Sequence, residues 1–143
     1  ENFPPEQFEL LMKTNVSSVF NVGQIVAQYM IKEGKGKIIN ISSVSGLRAN
    51  PFVGPYSASK FALEAFSDSL RRELLIYGID VILIEPGPIK TAIWDKTPDP
   101  ENNEFLNTDY EIALKKFYTL FICKRSYQII RITTLLSFWI RIT

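Results

Sequence analysis

The chain predicts an α/β fold, part of a doubly wound parallel sheet with helices on both faces. Three observations carry this. Two short runs, Lys37–Ser42 and Asp80–Glu85, are apolar and rich in branched side chains, as strands buried within a parallel sheet are. The stretch between them, Pro55 to about Tyr77, spaces Phe61, Leu63, Phe66, Leu70 and Leu74 at helical intervals. Strand, helix and strand in that order form a β–α–β unit. Its right-handed crossover places both strand ends at one carboxyl edge, where open α/β sheets bind ligands.

The elements follow in order. Pro5 to about Glu33 is one long helical pattern with a wide apolar face: Phe8, Leu11, Met12, Val16, Val19, Phe20, Ile25, Val26, Tyr29 and Met30. Asn15 lies inside it, although its amide competes for backbone hydrogen bonds and lowers helix propensity. Gly34-Lys35-Gly36 turns the chain into the first strand, which delivers Ser43 at its end. The central helix opens with Pro55 in its first turn and stops at Gly78. The second strand ends in Pro86-Gly87-Pro88, and Pro98 to Thr108 is a polar, proline-bearing loop. Tyr110 to about Phe121 then has a helical pattern, and residues 98–122 together suit a lid over a substrate.

At 143 residues and a net charge of +1 the chain has the composition of a soluble globular protein. Its single Cys123 excludes an intramolecular disulfide framework and fits a cytoplasmic or other reducing compartment. It has no histidine, which disfavours the usual zinc sites and Ser-His triads, and no metal site is expected. Charge is distributed unevenly. Residues 1–111 carry ten basic and all fifteen acidic side chains, whereas residues 112–143 carry six basic and no acidic ones. From Cys123 onward the amphipathic period is lost and no strand or helix is recognisable. This basic, apolar tail, residues 123–143, is sequence foreign to the fold, divergent core, or least favourably a cationic membrane-surface segment. Its longest charge-free stretch is too short to span a bilayer.

Tyr56, Lys60 and Ser43 are the candidates for chemistry. A phenol ordinarily loses its proton only at about pH 10, and a nearby ammonium group favours the phenolate. Lys60 is at i+4 from Tyr56, which on a helix places both side chains on one face with Cβ atoms roughly 5–6 Å apart. Ser43, thirteen positions upstream of Tyr56, can hold a substrate oxygen while the tyrosine exchanges a proton with it. That is general acid–base chemistry at a carbonyl or carbinol.

Asn15, Ser43, Tyr56 and Lys60, in this order and spacing, resemble the catalytic tetrad of the short-chain dehydrogenase/reductase family. The supporting signatures are Asn15-Val16, Ile39-Asn40-Ile41-Ser42-Ser43 followed by Gly46, Tyr56-Ser57-Ala58-Ser59-Lys60, and Glu85-Pro86-Gly87-Pro88-Ile89-Lys90-Thr91. The resemblance spans about residues 5–97 and implies a Rossmann-type sheet, with residues 1–97 as the catalytic segment. It further implies NAD or NADP as cofactor and interconversion of an alcohol with a ketone or aldehyde. In this family pattern Tyr56 is the acid/base, Ser43 orients the substrate oxygen, and Lys60 favours the phenolate and holds the nicotinamide ribose. Asn15 holds a water in the proton relay, and Pro86, Gly87, Ile89 and Thr91 border the nicotinamide. The implied partners are a small, apolar carbonyl or alcohol substrate and a second copy of the chain, with no nucleic acid. Leu47, Ala49, Pro51, Phe52, Val53, Ile93 and Trp94 are placed to line an apolar pocket. One departure stands out. Residues 1–36 contain no Gly-x-x-x-Gly-x-Gly turn, the element that holds the cofactor pyrophosphate. The chain therefore reads as the catalytic half of a longer domain. The alternative is a silent fragment or association module.

Overall fold

Apolar strands and an intervening helix fold into the expected order. The computed structural model describes residues 3–89, 92, 102–103, 106–121 and 130–133, without the side chains of 120–121 and 130–133. Thr91, Ile93, Trp94 and Cys123 lie outside the described residues. The chain divides into two compact units, Glu1–Pro86 with Ile130–Thr143, and Gly87–Ile129.

In the first unit, helix α1 (Pro5–Met12) passes through a π-turn (Lys13–Ser17) into α2 (Ser18–Glu33), and Gly34 closes α2 in the left-handed region at φ 65°. Strand β1 (Gly36–Ile41) leads to a 3₁₀ turn (Val44–Gly46), helix α3 (Gly54–Leu74), a second 3₁₀ turn (Leu75–Tyr77) and strand β2 (Ile79–Pro86). Strands β1 and β2 are parallel, from Gly36 opposite Ile79 to Ile41 opposite Ile84. A third strand, β3 (Ile130–Thr133), runs antiparallel to β2, with Leu83 opposite Thr133 and Pro86 opposite Ile130, giving the order β1-β2-β3. The sheet is thus a parallel pair with an antiparallel neighbour, and the tail that lacked any recognisable element contributes one of its strands.

The core forms on one face of this sheet. Ala27 of α2 and Leu74 of α3 pack on Ile38, Ile79 and Val81, with Val26, Met30, Ile31 and Leu70 closing around them. Each fully buried aliphatic side chain here contributes roughly 1.5–3 kcal/mol. Polar ties fix α3 on the strands as well: Asn40 Nδ2 donates to Ser67 Oγ at 2.9 Å, and Arg71 Nε donates to the Val81 carbonyl at 2.9 Å. Burial selects Ser59, Leu63, Ser67 and Arg71, an i, i+4 stripe, while Phe61 stays 44% exposed. The apolar face expected of the first helix is largely open, with Phe8, Phe20, Ile25 and Tyr29 all exposed and only Gly23 and Ala27 buried in α2.

In the second unit, helix α4 (Glu111–Phe121) fills the helical pattern expected there. Its first carboxylate, Glu111, accepts from Lys115 Nζ at 2.9 Å and from the Asn107 backbone N–H at 2.8 Å, which hold its carboxyl below the ordinary range. Among the described residues, no helix is long and apolar enough to cross a membrane.

Candidate active site

The carboxyl ends of β1 and β2 assemble the site. Backbone pairing continues one step past β1, where the Ser42 N–H donates to the Ile84 carbonyl at 2.8 Å. Ser43 follows in extended geometry and caps the 3₁₀ turn, its Oγ accepting from the Ser45 N–H at 3.1 Å. The same hydroxyl donates to the Pro86 carbonyl across the strand ends at 3.4 Å. Ser43 is therefore buried, 8% exposed, and held between the two strands.

Gly46 makes this seat feasible. A Cβ there would stand 2.9 Å from Glu64 Cγ, 2.9 Å from Ser42 Oγ and 3.1 Å from the Lys60 carbonyl. The turn after Ser43 can therefore lie directly against α3 only with glycine at this position.

Helix α3 contributes Tyr56 and Lys60 from its first two turns. The Lys60 ammonium lies 5.7 Å from the centroid of the Tyr56 ring and donates to the Ile41 carbonyl, the last of β1, at 3.0 Å. Partial burial lowers the Lys60 pKa from the ordinary lysine range, and the Glu64 carboxylate one turn on partly offsets this. Tyr56 is 37% exposed, so its ring is open to an incoming molecule.

Asn15 reaches the same helix from the π-turn. Its Nδ2 donates to Ser59 Oγ at 3.0 Å, and Ser59 Oγ donates to the Tyr56 carbonyl at 2.7 Å. An extra residue in the helical ladder, often found at functional sites, thus coincides with a candidate residue. Asn15 is half-buried and bonded rather than a solvated surface amide.

Of the sequence candidates, Asn15, Ser43, Tyr56, Lys60 and Pro86 belong to the first unit, the last through its carbonyl on Ser43. Gly87 and Ile89 belong to the second unit, both half-buried, and Thr91 is outside the described residues. Leu47 and Phe52, from the loop between Ser43 and Tyr56, are 43% and 41% exposed. Phe52 has a left-handed backbone, φ 66°, a strained conformation for a residue carrying a Cβ. Two groups escaped the sequence reading. Ser59 was legible only as part of a motif, and Arg71, buried at 3% exposed, was not singled out.

A model of the short chain dehydrogenase family matches residues 1–102. A Bacillus subtilis oxidoreductase, YusZ, is 52% identical over 94 residues, which are 66% of this chain and 34% of that protein. An NADPH-dependent 3-dehydrocapnine reductase from Ornithobacterium rhinotracheale is 57% identical over 81 residues, 55% of this chain and 28% of its own length. The gluconate 5-dehydrogenase of Burkholderia cenocepacia, solved with NADP and tartrate, superposes with a TM-score of 0.63 at 39% identity, over 65% of this chain and 36% of that one. An NAD⁺-bound xylitol dehydrogenase superposes with a TM-score of 0.67 at 27% identity, over 76% and 42%. The chain spans about a third of the length of the curated relatives it matches. On this match and this fold, the chain belongs to the short-chain dehydrogenase family of NAD- or NADP-dependent oxidoreductases.

Proposed function

We propose that this chain is the catalytic segment of an NAD(P)-dependent oxidoreductase that interconverts an alcohol with a ketone or aldehyde. The observation that carries the reading is Lys60, anchored on the Ile41 carbonyl with its ammonium 5.7 Å from the Tyr56 ring, at the strand edge that also holds Ser43.

Tyr56 gives its phenolic proton to the substrate oxygen in reduction and recovers it in oxidation. The positive charge of Lys60 favours the phenolate that this exchange creates. Ser43 orients the substrate oxygen. Its 3.4 Å bond to Pro86 is long for O–H···O, so the hydroxyl can turn to a better acceptor at little cost. Asn15 keeps a water in place for proton return. Leu47 and Phe52 present apolar surface to an apolar substrate.

The residues fit the nicotinamide end of the cofactor. A lysine has three N–H donors, and the Ile41 carbonyl takes one from Lys60, leaving donors for ribose hydroxyls beside Tyr56. Pro86, at the end of β2 with its carbonyl on Ser43, would border the ring. When bound, the nicotinamide supplies or accepts the hydride. The pyrophosphate would need donors from outside this chain, whose first 36 residues have no glycine-rich turn.

A second reading is favoured by the exposed apolar faces of α1 and α2, with Leu10, Val22, Ile25 and Tyr29 more than half exposed. In it the chain is a silent association module. A chimera separates the two. With the matched 94 residues of the Bacillus subtilis relative replaced by their counterparts here, alcohol-dependent reduction of NAD or NADP is expected, and Tyr56→Phe should lower it by about 10²–10⁴-fold. An inactive chimera that is folded and binds cofactor would favour the module, and an active Tyr56→Phe variant would show that the acid/base lies elsewhere.

A further inference from the structure

Between the π-turn and α3, one fully buried hydroxyl links two candidate groups. Ser59 is 0% exposed. It accepts from Asn15 Nδ2 at 3.0 Å and donates to the Tyr56 carbonyl at 2.7 Å, across 44 residues of sequence. We propose that Ser59 is a positioning residue, which locks Asn15 of the π-turn onto the Tyr56–Lys60 turn of α3 and so sets where Asn15 stands relative to the reacting groups. The proposal rests on the preceding reading for the roles of Tyr56, Lys60 and Asn15.

Donor and acceptor chemistry makes the link directional. A serine hydroxyl has one proton, and a carbonyl can only accept. The Ser59 proton is committed to Tyr56, so its lone pairs must receive Asn15. Asn15 therefore has to turn its NH₂ toward α3, leaving its carbonyl oxygen on the other side. Alanine at 59 would remove both bonds and strand a half-buried amide, whereas the backbone of α3 would keep its helical ladder.

The π-turn explains why such a lock is needed. The Ser18 N–H donates to the Lys13 carbonyl, five residues back rather than four. One extra residue rotates all that precedes it by about 100° relative to α2. Such insertions are rare and need local support. Three described contacts lie at this level: the Asn15–Ser59 bond, the Ser18 hydroxyl on the Thr14 carbonyl, and the packing of the π-turn on α3. Only the first reaches the helix that carries Tyr56 and Lys60 through a hydrogen bond. Loss of it frees the π-turn to relax toward an ordinary α-helical register, which would swing Asn15 away from Ser59 and the Tyr56–Lys60 turn of α3.

The test uses the 143-residue chain and side-chain NMR. In the wild type, the two Asn15 Nδ2 protons should be resolved, and should exchange with water about 3- to 10-fold more slowly than those of an exposed asparagine, the fold-change equivalent of one net hydrogen bond. Ser59→Ala should bring them to the exposed rate, accelerate amide exchange at Leu11–Ser18, and shift the Lys60 titration toward that of an ordinary lysine as water enters. Amides of β1 and β2 should be unaffected. Asn15→Ala removes the same bond from the half-buried side, and should reproduce the Lys60 shift if Ser59→Ala does not fold. An Asn15 amide that exchanges freely in the wild type overturns the proposal. So does a uniform loss of protection with the Lys60 titration unchanged, because that is what a merely structural serine would give. None of these readouts needs turnover, so failure of the oxidoreductase reading would appear in the chimera and failure of the lock would appear here.

Discussion

The two faces of the β1–β2 pair have nearly the same composition and opposite environments. On one face Ile38, Ile79, Val81 and Leu83 are 8%, 1%, 2% and 2% exposed beneath α2 and α3. On the other, Ile39 and Ile41 are 52% and 54% exposed, and their register partners Ile82 and Ile84 are only half-buried. Apolar residues on both sides of a strand are the mark of a sheet covered twice. In the described first unit the helices supply one cover. The strands' composition fits the expected doubly wound sheet, and among the described residues of the first unit α2 and α3 cover the buried face. The difference teaches where the described residues of the first unit pack: in the layer between α2, α3 and the sheet. The site is built on the covered side, through Lys60, Ser59 and the turn at Gly46, and so draws on the part of the molecule that is packed.

The largest test of this contrast is a matched pair of truncations. Leu83→Ala on the covered face should cost about 2–5 kcal/mol of unfolding free energy. Ile39→Ala on the open face should cost about 1 kcal/mol or less, because half of its surface already meets water. Denaturant melts of both variants give the comparison. Equal losses would mean that Ile39 is covered in solution, and the contrast would be one of the isolated chain alone.

Much of this architecture was legible beforehand, and the exceptions have identifiable causes. Strands β1 and β2 and helix α3 announced themselves through branched apolar runs and a clean helical period between Pro55 and Gly78. The π-turn did not, since one inserted residue shifts the phase of an apolar stripe without erasing it. Asn15, a poor helix former within that stretch, was the only local sign. The buried stripe of α3 was misjudged because serine and arginine are usually exposed. In fact Ser59 and Ser67 are small enough to let the helix approach the π-turn and β1, and Arg71 satisfies the Val81 carbonyl. Strand β3 has the alternation Ile-Arg-Ile-Thr, but four residues within a longer apolar run are too short a signal to stand out. At the site, Ser43, Tyr56 and Lys60 were visible as a motif, whereas the hydrogen bonds that aim them, to Pro86, Ile41 and Ser59, involve backbone groups or a buried hydroxyl that spacing alone does not reveal.

A second, smaller effect concerns self-association, which the exposed apolar surface favours. Light scattering at tens of micromolar is expected to show dimers or larger species. Substituting Val22→Lys and Ile25→Lys, 60% and 58% exposed on α2, should return a monomer, because charge at the centre of an apolar contact must be desolvated. If Ile39→Lys has that effect and the α2 pair does not, the contact is the open sheet face rather than the helices. A monomeric wild type would remove the association altogether.

The finest test concerns Lys60, at the boundary between packed layer and solvent. Its burial lowers the folded-state pKa, and Glu64 works in the opposite direction. The sign follows from proton counts. Between the lowered folded value and the ordinary unfolded one, the unfolded chain binds more protons, so this group makes the fold more stable as pH rises through that alkaline window. Below the window its charged form is a burden on the fold. Glu64→Gln removes the carboxylate that supports the ammonium, and should lower the Lys60 titration further and widen the window. Side-chain carbon NMR of Lys60 against pH measures this directly. A titration unmoved by Glu64→Gln would place the Glu64 charge too far away, or too well screened, to matter. A titration at the ordinary lysine value in the wild type would mean that water reaches the ammonium freely, and that the turn carrying Tyr56 and Lys60 belongs with the open face of the molecule rather than the packed one.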